Sequence, residues 1–309
     1  MPSIDVSVVV PVFNNAATLD ELLDRLAAVL ESVGVSFEIV AVDDGSRDGS
    51  FAILERRAAA DPRIRPFAMV RNFGSQAASC AGFDLARGRR VVHIDADLEL
   101  YPEDIPPLLE AMDRGADLVC AYRENRQDPW LTRRLPSTVM NAYVRGRTGA
   151  NVRDIGCGLR AAESWIVKDL AAEGENRRYL TPLFLRRARH VVEVGVRHRR
   201  KAVRTGHSFL TLLGVVLDYY MITAKRPFLI TGLISLSTLL VGIAVLLLGR
   251  PLLGVVIAGF GGMGALTSLL GEYAQRIYQL GQDLPFYQLR KSAAEPGPEA
   301  REVRRERAG

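Results

Sequence analysis

Glycine-rich phosphate loops are missing from this 309-residue chain. The loop after the first β-branched run lacks Gly-x-Gly-x-x-Gly, and Gly-x-x-x-x-Gly-Lys occurs nowhere, which argues against a dinucleotide-binding fold and against a P-loop. Cysteine is scarce. Cys80, Cys120 and Cys157 stand far apart, without metal-ligand spacing, and read as reduced small hydrophobes of a cytosolic environment. The start, Met1-Pro2-Ser3-Ile4-Asp5, lacks a basic segment followed by an apolar one, so no secretory signal is expected and the first domain is expected to stay in the cytoplasm. Charge is thin in one region only. Charged residues are 24% of the chain, an average figure, yet they dominate up to about Arg204 and give way to apolar residues from Phe209 to Leu270. The net charge of +5 fits nucleic acid, anionic lipid or phosphorylated substrates equally well.

Before Arg204, β-branched runs alternate with helical patterns. Val6–Val12 ends at Phe13-Asn14-Asn15, and Phe37–Val42 ends at Asp43-Asp44-Gly45-Ser46. Ile64–Val70 ends at Arg71-Asn72-Phe73-Gly74, and Val91–Ile94 runs into Asp95-Ala96-Asp97-Leu98. Asp117–Ala121 and Val191–Val196 read as further strands. Helices are expected from Thr18, where Thr18 and Glu21 form a capping-box pattern, over 51–60 and 75–87, from Tyr101, and over 164–172. Such alternation is the pattern of a mostly parallel, doubly wound α/β sheet.

In such sheets ligands lie beyond the carboxyl ends of the strands. There the chain carries acidic loops instead of glycine loops: Asp43/Asp44, Asp48, Asp95/Asp97 and, in a turn-rich stretch, Asp154. Two carboxylates at i and i+2 repel unless a cation lies between them, and a hard divalent ion carrying substrate phosphates serves that purpose. A plain turn or helix cap is the alternative for each loop. A carboxylate at Asp43 suits a base N–H or ribose hydroxyls. Asp95 and Asp97 suit a cation on the diphosphate, and Arg71 suits the same phosphates.

The second half reads as membrane-associated. Arg186–Arg204 holds eight Lys/Arg and one acid, Glu193. Phe209–Ile222 is apolar with Asp218-Tyr219-Tyr220 in its second half, and reads as an interfacial helix. Phe228–Leu248 and Leu252–Gly271 are uncharged runs of 21 and 20 residues, joined by Gly249-Arg250-Pro251, and predict two membrane spans. Gly259, Gly261, Gly262 and Gly264 offer a small-residue face for packing within or between protomers. Lys225, Arg226 and Arg276 at the outer ends, against Arg250 alone in the loop, place both termini in the cytoplasm. The expected boundaries are 1–206 for a cytosolic domain, 207–226 for the interfacial helix, 227–271 for the hairpin and 272–309 for a cytosolic tail, disordered after about 291.

Val9-Val10-Pro11-Val12-Phe13-Asn14, Val42-Asp43-Asp44-Gly45-Ser46-x-Asp48-Gly49-Ser50, Arg71-Asn72-Phe73-Gly74 and Asp95-Ala96-Asp97-Leu98 together resemble the family 2 glycosyltransferases. Asp154-x-Gly156-Cys157-x-Leu159-Arg160 and Gly271-Glu272-Tyr273-x-x-Arg276-x-Tyr278 narrow the resemblance to the polyprenyl-phosphate type, which includes dolichol-phosphate mannose synthases and undecaprenyl-phosphate formamido-arabinose transferases. The resemblance covers nearly everything to about Arg290.

It implies a nucleotide-sugar-binding sheet of glycosyltransferase A type. The implied activity is an inverting transfer of sugar, dependent on Mg2+ or Mn2+, from a nucleotide sugar to polyprenyl (undecaprenyl) phosphate. The product would serve envelope glycan or lipid modification such as that of lipopolysaccharide. The setting would be the cytosolic face of a bacterial inner membrane, with a multi-pass anchor, no nucleic-acid partner, and room for a homo-oligomer. Pro11, Phe13, Asn14, Asp43, Asp44, Gly45, Arg71, Asn72, Asp95, Ala96 and Asp97 would bind the donor. Asp95 and Asp97 would hold the metal, with Asp154 as an acceptor-side catalytic carboxylate. Arg160, Lys201, Arg204 and His207 would meet the acceptor phosphate. Because a phosphate nucleophile is already anionic near neutral pH, Asp154 need only position groups. Asn15 stands where the family often has Glu, and Gly206-His207-Ser208 where it has Ser-Lys-Tyr. The Gln-x-x-Arg-Trp motif of processive synthases is absent, which argues for single transfer. Two rivals remain: transfer to a lipid hydroxyl, which would need Asp154 as a true base, and a non-catalytic membrane scaffold.

Overall fold

The computed structural model describes residues 4–124, 152–154, 156–170, 180–199, 228–280 and 287–290. The chain divides into two compact units, residues 1–206 with 285–309, and residues 207–284. The chain therefore leaves the first unit and returns to it.

The first unit is built on a seven-stranded sheet of order β3-β2-β1-β4-β6-β5-β7. Its strands are β1 (Val6–Val12), β2 (Phe37–Asp43), β3 (Ile64–Ala68), β4 (Arg90–His93), β5 (Leu118–Arg123), β6 (Arg160–Glu163) and β7 (Val191–Val196). β1 and β2 are buried along their whole length, which explains why Val, Ile and Ala dominate them. Helices α1 (Ala16–Val33), α2 (Ser50–Ala60), α3 (Ser75–Leu85) and α4 (Ile105–Asp113) follow the first strands in turn. Short helices α5 (Ser164–Asp169) and α6 (Leu180–Arg187) complete the described part.

The sheet is mostly parallel, as expected, but mixed. β6 runs antiparallel to both β4 and β5, while β1, β2, β3 and β4 pair in parallel, as do β5 and β7. Arg160-Ala161-Ala162-Glu163 has no β-branched residue, so its strand character comes from the two neighbours that flank it. The reversed strand has a consequence for the site. β6 begins at the edge where its neighbours end, so Asp154–Arg160 is delivered to the same edge as the acidic loops.

Other local expectations shift. β3 stops at Ala68 instead of Val70, and β4 stops at His93, which leaves Ile94–Asp97 as loop. Helix α3 ends at Leu85, α5 at Asp169, and α6 has no counterpart in the sequence reading. The capping box is not formed. Asn15 occupies the cap position of α1, Glu21 accepts from Arg25, and the Thr18 hydroxyl donates to the Ala96 carbonyl at 2.7 Å. All three cysteines are free and buried, and burial pushes the Cys120 and Cys157 thiols up to about 11.

The second unit contains α7 (Leu229–Leu247) and α8 (Pro251–Leu280), which pack on each other. The expected pair of spans is met in full by α8 alone. Pro251–Ala274 is long and apolar enough to cross a membrane, whereas the apolar stretch of α7, Thr231–Leu247, is shorter. Helix α8 also runs on to Leu280, beyond the expected end at Gly271. Glycines set the packing. A Cβ at Gly261 would run into the Leu239 and Ser235 backbone, and one at Gly242 into Ala258. Gly264 likewise faces Ser235, while Gly259 faces open space. The expected interfacial helix, 207–226, lies outside the described residues.

Candidate active site

In the strand order the chain reverses direction across the sheet between β1 and β4, and a ligand crevice is expected there. Two loops meet on the β1 side. Beyond β1, Pro11 is buried in the strand, whereas Phe13 is 45% exposed and Asn14 is exposed with φ of 53°. The β2–α2 loop holds this segment in place. Ser46 Oγ accepts from Asn14 N, Asn14 Oδ1 accepts from Arg47 N, and Ser50 Oγ accepts from Asn15 N.

Asp48 completes that clasp and points away from any ligand role. Its carboxylate accepts from Ala16 N at 2.9 Å and from the N–H and hydroxyl of Ser50. Burial pushes Asp48 upward, but the Ser50 hydroxyl and the Ala16 and Ser50 N–H groups outweigh it and hold the carboxyl below its ordinary value. Asp48→Ala is therefore expected to cost about 1 kcal/mol, the usual worth of a lost helix cap. Because the folded-state value is depressed, that contribution exists above the unfolded value near 4 and vanishes as pH falls through the folded one. Thermal unfolding of wild type and variant should differ at pH 7 and converge below about pH 4.

Asp43 and Asp44, adjacent at the end of β2, have different surroundings. Asp44 is buried, and its two oxygens accept from Phe73 N at 2.7 Å and Gly74 N at 2.8 Å. Burial raises its carboxyl above the ordinary value, with those N–H groups pulling the other way. Asp44 thus shapes the β3–α3 loop. Asp43 spends Oδ2 on Ser46 N, while its buried Oδ1 has no partner among the described residues. An orphaned buried acceptor costs free energy unless a ligand donor fills it. Gly45 has φ of +74°, and a Cβ there would sit 2.9 Å from Asn72 N, so the two loops touch through it. Arg71 is exposed and lies over the Phe73 ring at 4.3 Å, keeping its charge at the loop surface.

On the β4 side, Asp95 and Asp97 are half-buried and flank buried Ala96. The turn is strained at Leu98, a buried residue with φ of 55°. Thr18 anchors the Ala96 carbonyl, and Asp97 Oδ1 accepts from Glu99 N at 3.1 Å. Asp95 lies against Gly158, where a Cβ would overlap its carboxylate. Behind it stands His93, which the sequence reading did not single out. His93 Nδ1 donates to the Gly158 carbonyl at 2.6 Å, and Nε2 meets Ser79 Oγ at 2.9 Å. Burial pushes this imidazole below its ordinary value; the Asp95 charge opposes that shift and the Arg160 charge adds to it.

Asp154 is buried and bound side-on by Arg123, with Nε to Oδ2 at 2.7 Å and a second guanidinium nitrogen to Oδ1 at 3.0 Å. Arg123 ends β5 at the ligand edge, so the strand-end rule that flagged the acids would have flagged it too. Arg160 donates to Thr181 Oγ1 and the Cys157 carbonyl, and lies over Phe184. Lys201, Arg204 and His207 lie outside the described residues.

Among the described residues no cluster of three or more His, Cys, Asp or Glu could hold a metal ion. A paired Asp95 and Asp97 still suits Mg2+ or Mn2+, which commonly take one or two carboxylates and complete their shell with substrate phosphates. The sequence profile described as "Glycosyl transferase family 2" matches residues 7–172, which spans every one of these loops. The chain belongs to glycosyl transferase family 2.

This family 2 glycosyltransferase is 34% identical over 300 residues to an undecaprenyl-phosphate 4-deoxy-4-formamido-L-arabinose transferase of Shewanella sediminis, covering 91% of this chain and 90% of the relative. It is 38% identical over 292 residues to the transferase of the same name from Pseudomonas paraeruginosa, covering 88% and 86%. Among solved structures it resembles glucosyl-3-phosphoglycerate synthase from Mycobacterium tuberculosis. In the complex with phosphoglyceric acid the TM-score is 0.51 at 20% identity, over 71% of this chain and 80% of that one. The complex with Mn2+ and uridine-diphosphate-glucose gives 0.50 at 19% identity, over 71% and 79%. The mixed sheet is therefore that of the A-type glycosyltransferases, and the protein is a glycosyltransferase.

Proposed function

We propose that this glycosyltransferase moves a sugar, with inversion, from a nucleotide sugar to undecaprenyl phosphate at the cytosolic face of a bacterial inner membrane. Asp43 Oδ1, a buried acceptor awaiting a donor, carries the nucleotide part of the reading: a nucleobase N–H satisfies it. Arg71 and Asn72, beside Gly45, reach for the donor phosphates, and Phe13 and Asn14 line the entry. Asp95 and Asp97 hold Mg2+ or Mn2+. The bound ion supplies Lewis-acid stabilisation of the departing nucleoside diphosphate.

The acceptor is read from Asp154. A carboxylate gripped on both oxygens by Arg123 is a poor proton acceptor, since protonation would break a charge-assisted pair. A hydroxyl nucleophile needs such a base and a phosphate nucleophile does not. Asp154 therefore positions Arg123 and the Gly156–Arg160 segment, and Arg160, with Lys201, Arg204 and His207 from the basic stretch, meets the acceptor phosphate. The names of the relatives point to the same acceptor. Lys225, Arg226 and Arg276 against Arg250 alone in the connecting turn support a hairpin with both outer ends on the cytosolic side, α8 spanning fully and α7 at about 25 Å for its apolar stretch.

The test is a panel of nucleotide sugars offered with radiolabelled undecaprenyl phosphate. An acid-labile lipid product from one of them is expected. An acid-stable product with diacylglycerol, and none with the phosphate, would replace the acceptor assigned here.

A further inference from the structure

Beyond α8 the chain returns to the first unit as a short segment, Tyr287–Arg290, which makes one β-bridge beside the exit of β3. Val70 N donates to the Gln288 carbonyl at 3.0 Å and Arg290 N to the Ala68 carbonyl at 2.7 Å, with Met69 opposite Leu289 in antiparallel pairing. The Tyr287 hydroxyl donates to Asp84 Oδ2 at 2.7 Å, on α3. On the other side of this exit, Met69 N donates to the Asp43 carbonyl at 2.8 Å. The chain just after Ala68 is thus held between β2 and the returning segment.

Directly after this braced exit come Arg71-Asn72-Phe73-Gly74, whose backbone grips Asp44 and abuts Gly45. β3 is an edge strand of five residues, half-exposed in its middle. Covering a sheet edge against stray pairing would be reason enough for such a segment. Its position argues for more: it covers the last residues before the loop, not the length of β3. The Tyr287–Asp84 bond then fastens it to the helix that the loop leads into.

We infer that Tyr287–Arg290 is a positioning element of the donor site, which fixes the β3 exit so that Arg71 and Asn72 meet the nucleotide without a prior ordering cost. This rests on the donor site proposed above. Ordering a loop in advance of binding raises affinity by removing the entropy that binding would otherwise spend.

The experiment uses the full chain with Tyr287→Phe and Arg290→Pro, which remove the hydroxyl and the Arg290 N–H. UDP and GDP with Mn2+ are titrated by calorimetry, donor and acceptor KM are measured with kcat, and hydrogen exchange is monitored at the Val70 amide. Expected are faster Val70 exchange and a roughly tenfold rise in nucleotide Kd and donor KM, with acceptor KM and kcat within about twofold. Unchanged nucleotide Kd with a freely exchanging Val70 overturns the inference, as does a fall in kcat with both KM values unmoved. If the double variant fails to fold, Tyr287→Phe alone should raise donor KM about two- to threefold by the same reading, and no rise overturns it. A wild-type chain that binds neither nucleotide removes the donor-site reading and the positioning role with it, an outcome distinct from a segment that makes no difference.

Discussion

Asp97→Ala is expected to lower sugar transfer by about a thousandfold or more while leaving the fold intact. Asp97 is half-buried in a loop, outside β4, so its removal opens no core cavity. Its carboxylate is set by the Glu99 N–H and by the strained turn at Leu98, and its loss removes half of the negative charge that the Asp95/Asp97 pair offers a hard cation. Initial rates at saturating donor and acceptor measure the loss, with thermal unfolding as the control for folding. Treatment with EDTA should silence the wild type to the same level. Mn2+ or Mg2+ should then restore the wild type and leave the variant inactive. Activity retained by the variant, or by the wild type without a divalent ion, would remove the metal role from this pair.

Gly158→Ala should cost on the order of a hundredfold, through a residue that has no side chain of its own. The added methyl would occupy the space of the Asp95 carboxylate, so Asp95 must rotate away from its present position. A displacement of about 1 Å in a catalytic group commonly costs on the order of a hundredfold in rate. The neighbouring Gly156→Ala is the internal control. There, among the described residues, a Cβ meets only the Arg123 guanidinium at 3.5 Å and Asp154 Oδ1 at 3.7 Å, both ordinary contact distances. Parallel measurements of kcat and of Mn2+ affinity should place Gly158→Ala far below Gly156→Ala. Equal rates for the two would mean that Asp95 is free to move without penalty.

The donor side was the more legible part of the sequence. Its signals are local: a buried β-branched run needs no context to be read as a strand, and an acidic turn that ends one is visible within a few residues. The two apolar runs were equally plain, although α7 carries a shorter apolar stretch than its uncharged run suggested. Less could be read where a residue's role depends on a partner far along the chain. Thr18 looked like a cap because Glu21 stands at the right spacing, yet its hydroxyl goes to Ala96. His93 looked like one more residue of a strand, yet it ties α3 to the segment that backs Asp95.

Sequence alone determined that this chain carries an α/β sheet with acidic strand ends, succeeded by long apolar segments, because hydrophobic period and turn chemistry are written within each segment. Tertiary structure alone decided that β6 enters reversed and delivers Asp154 to the ligand edge, that Arg123 holds Asp154, and that the returning chain braces the exit of β3. Each of these is a pairing between segments tens or hundreds of residues apart. It is selected by which backbone groups and charges would otherwise be left unpaired, and no local pattern records it.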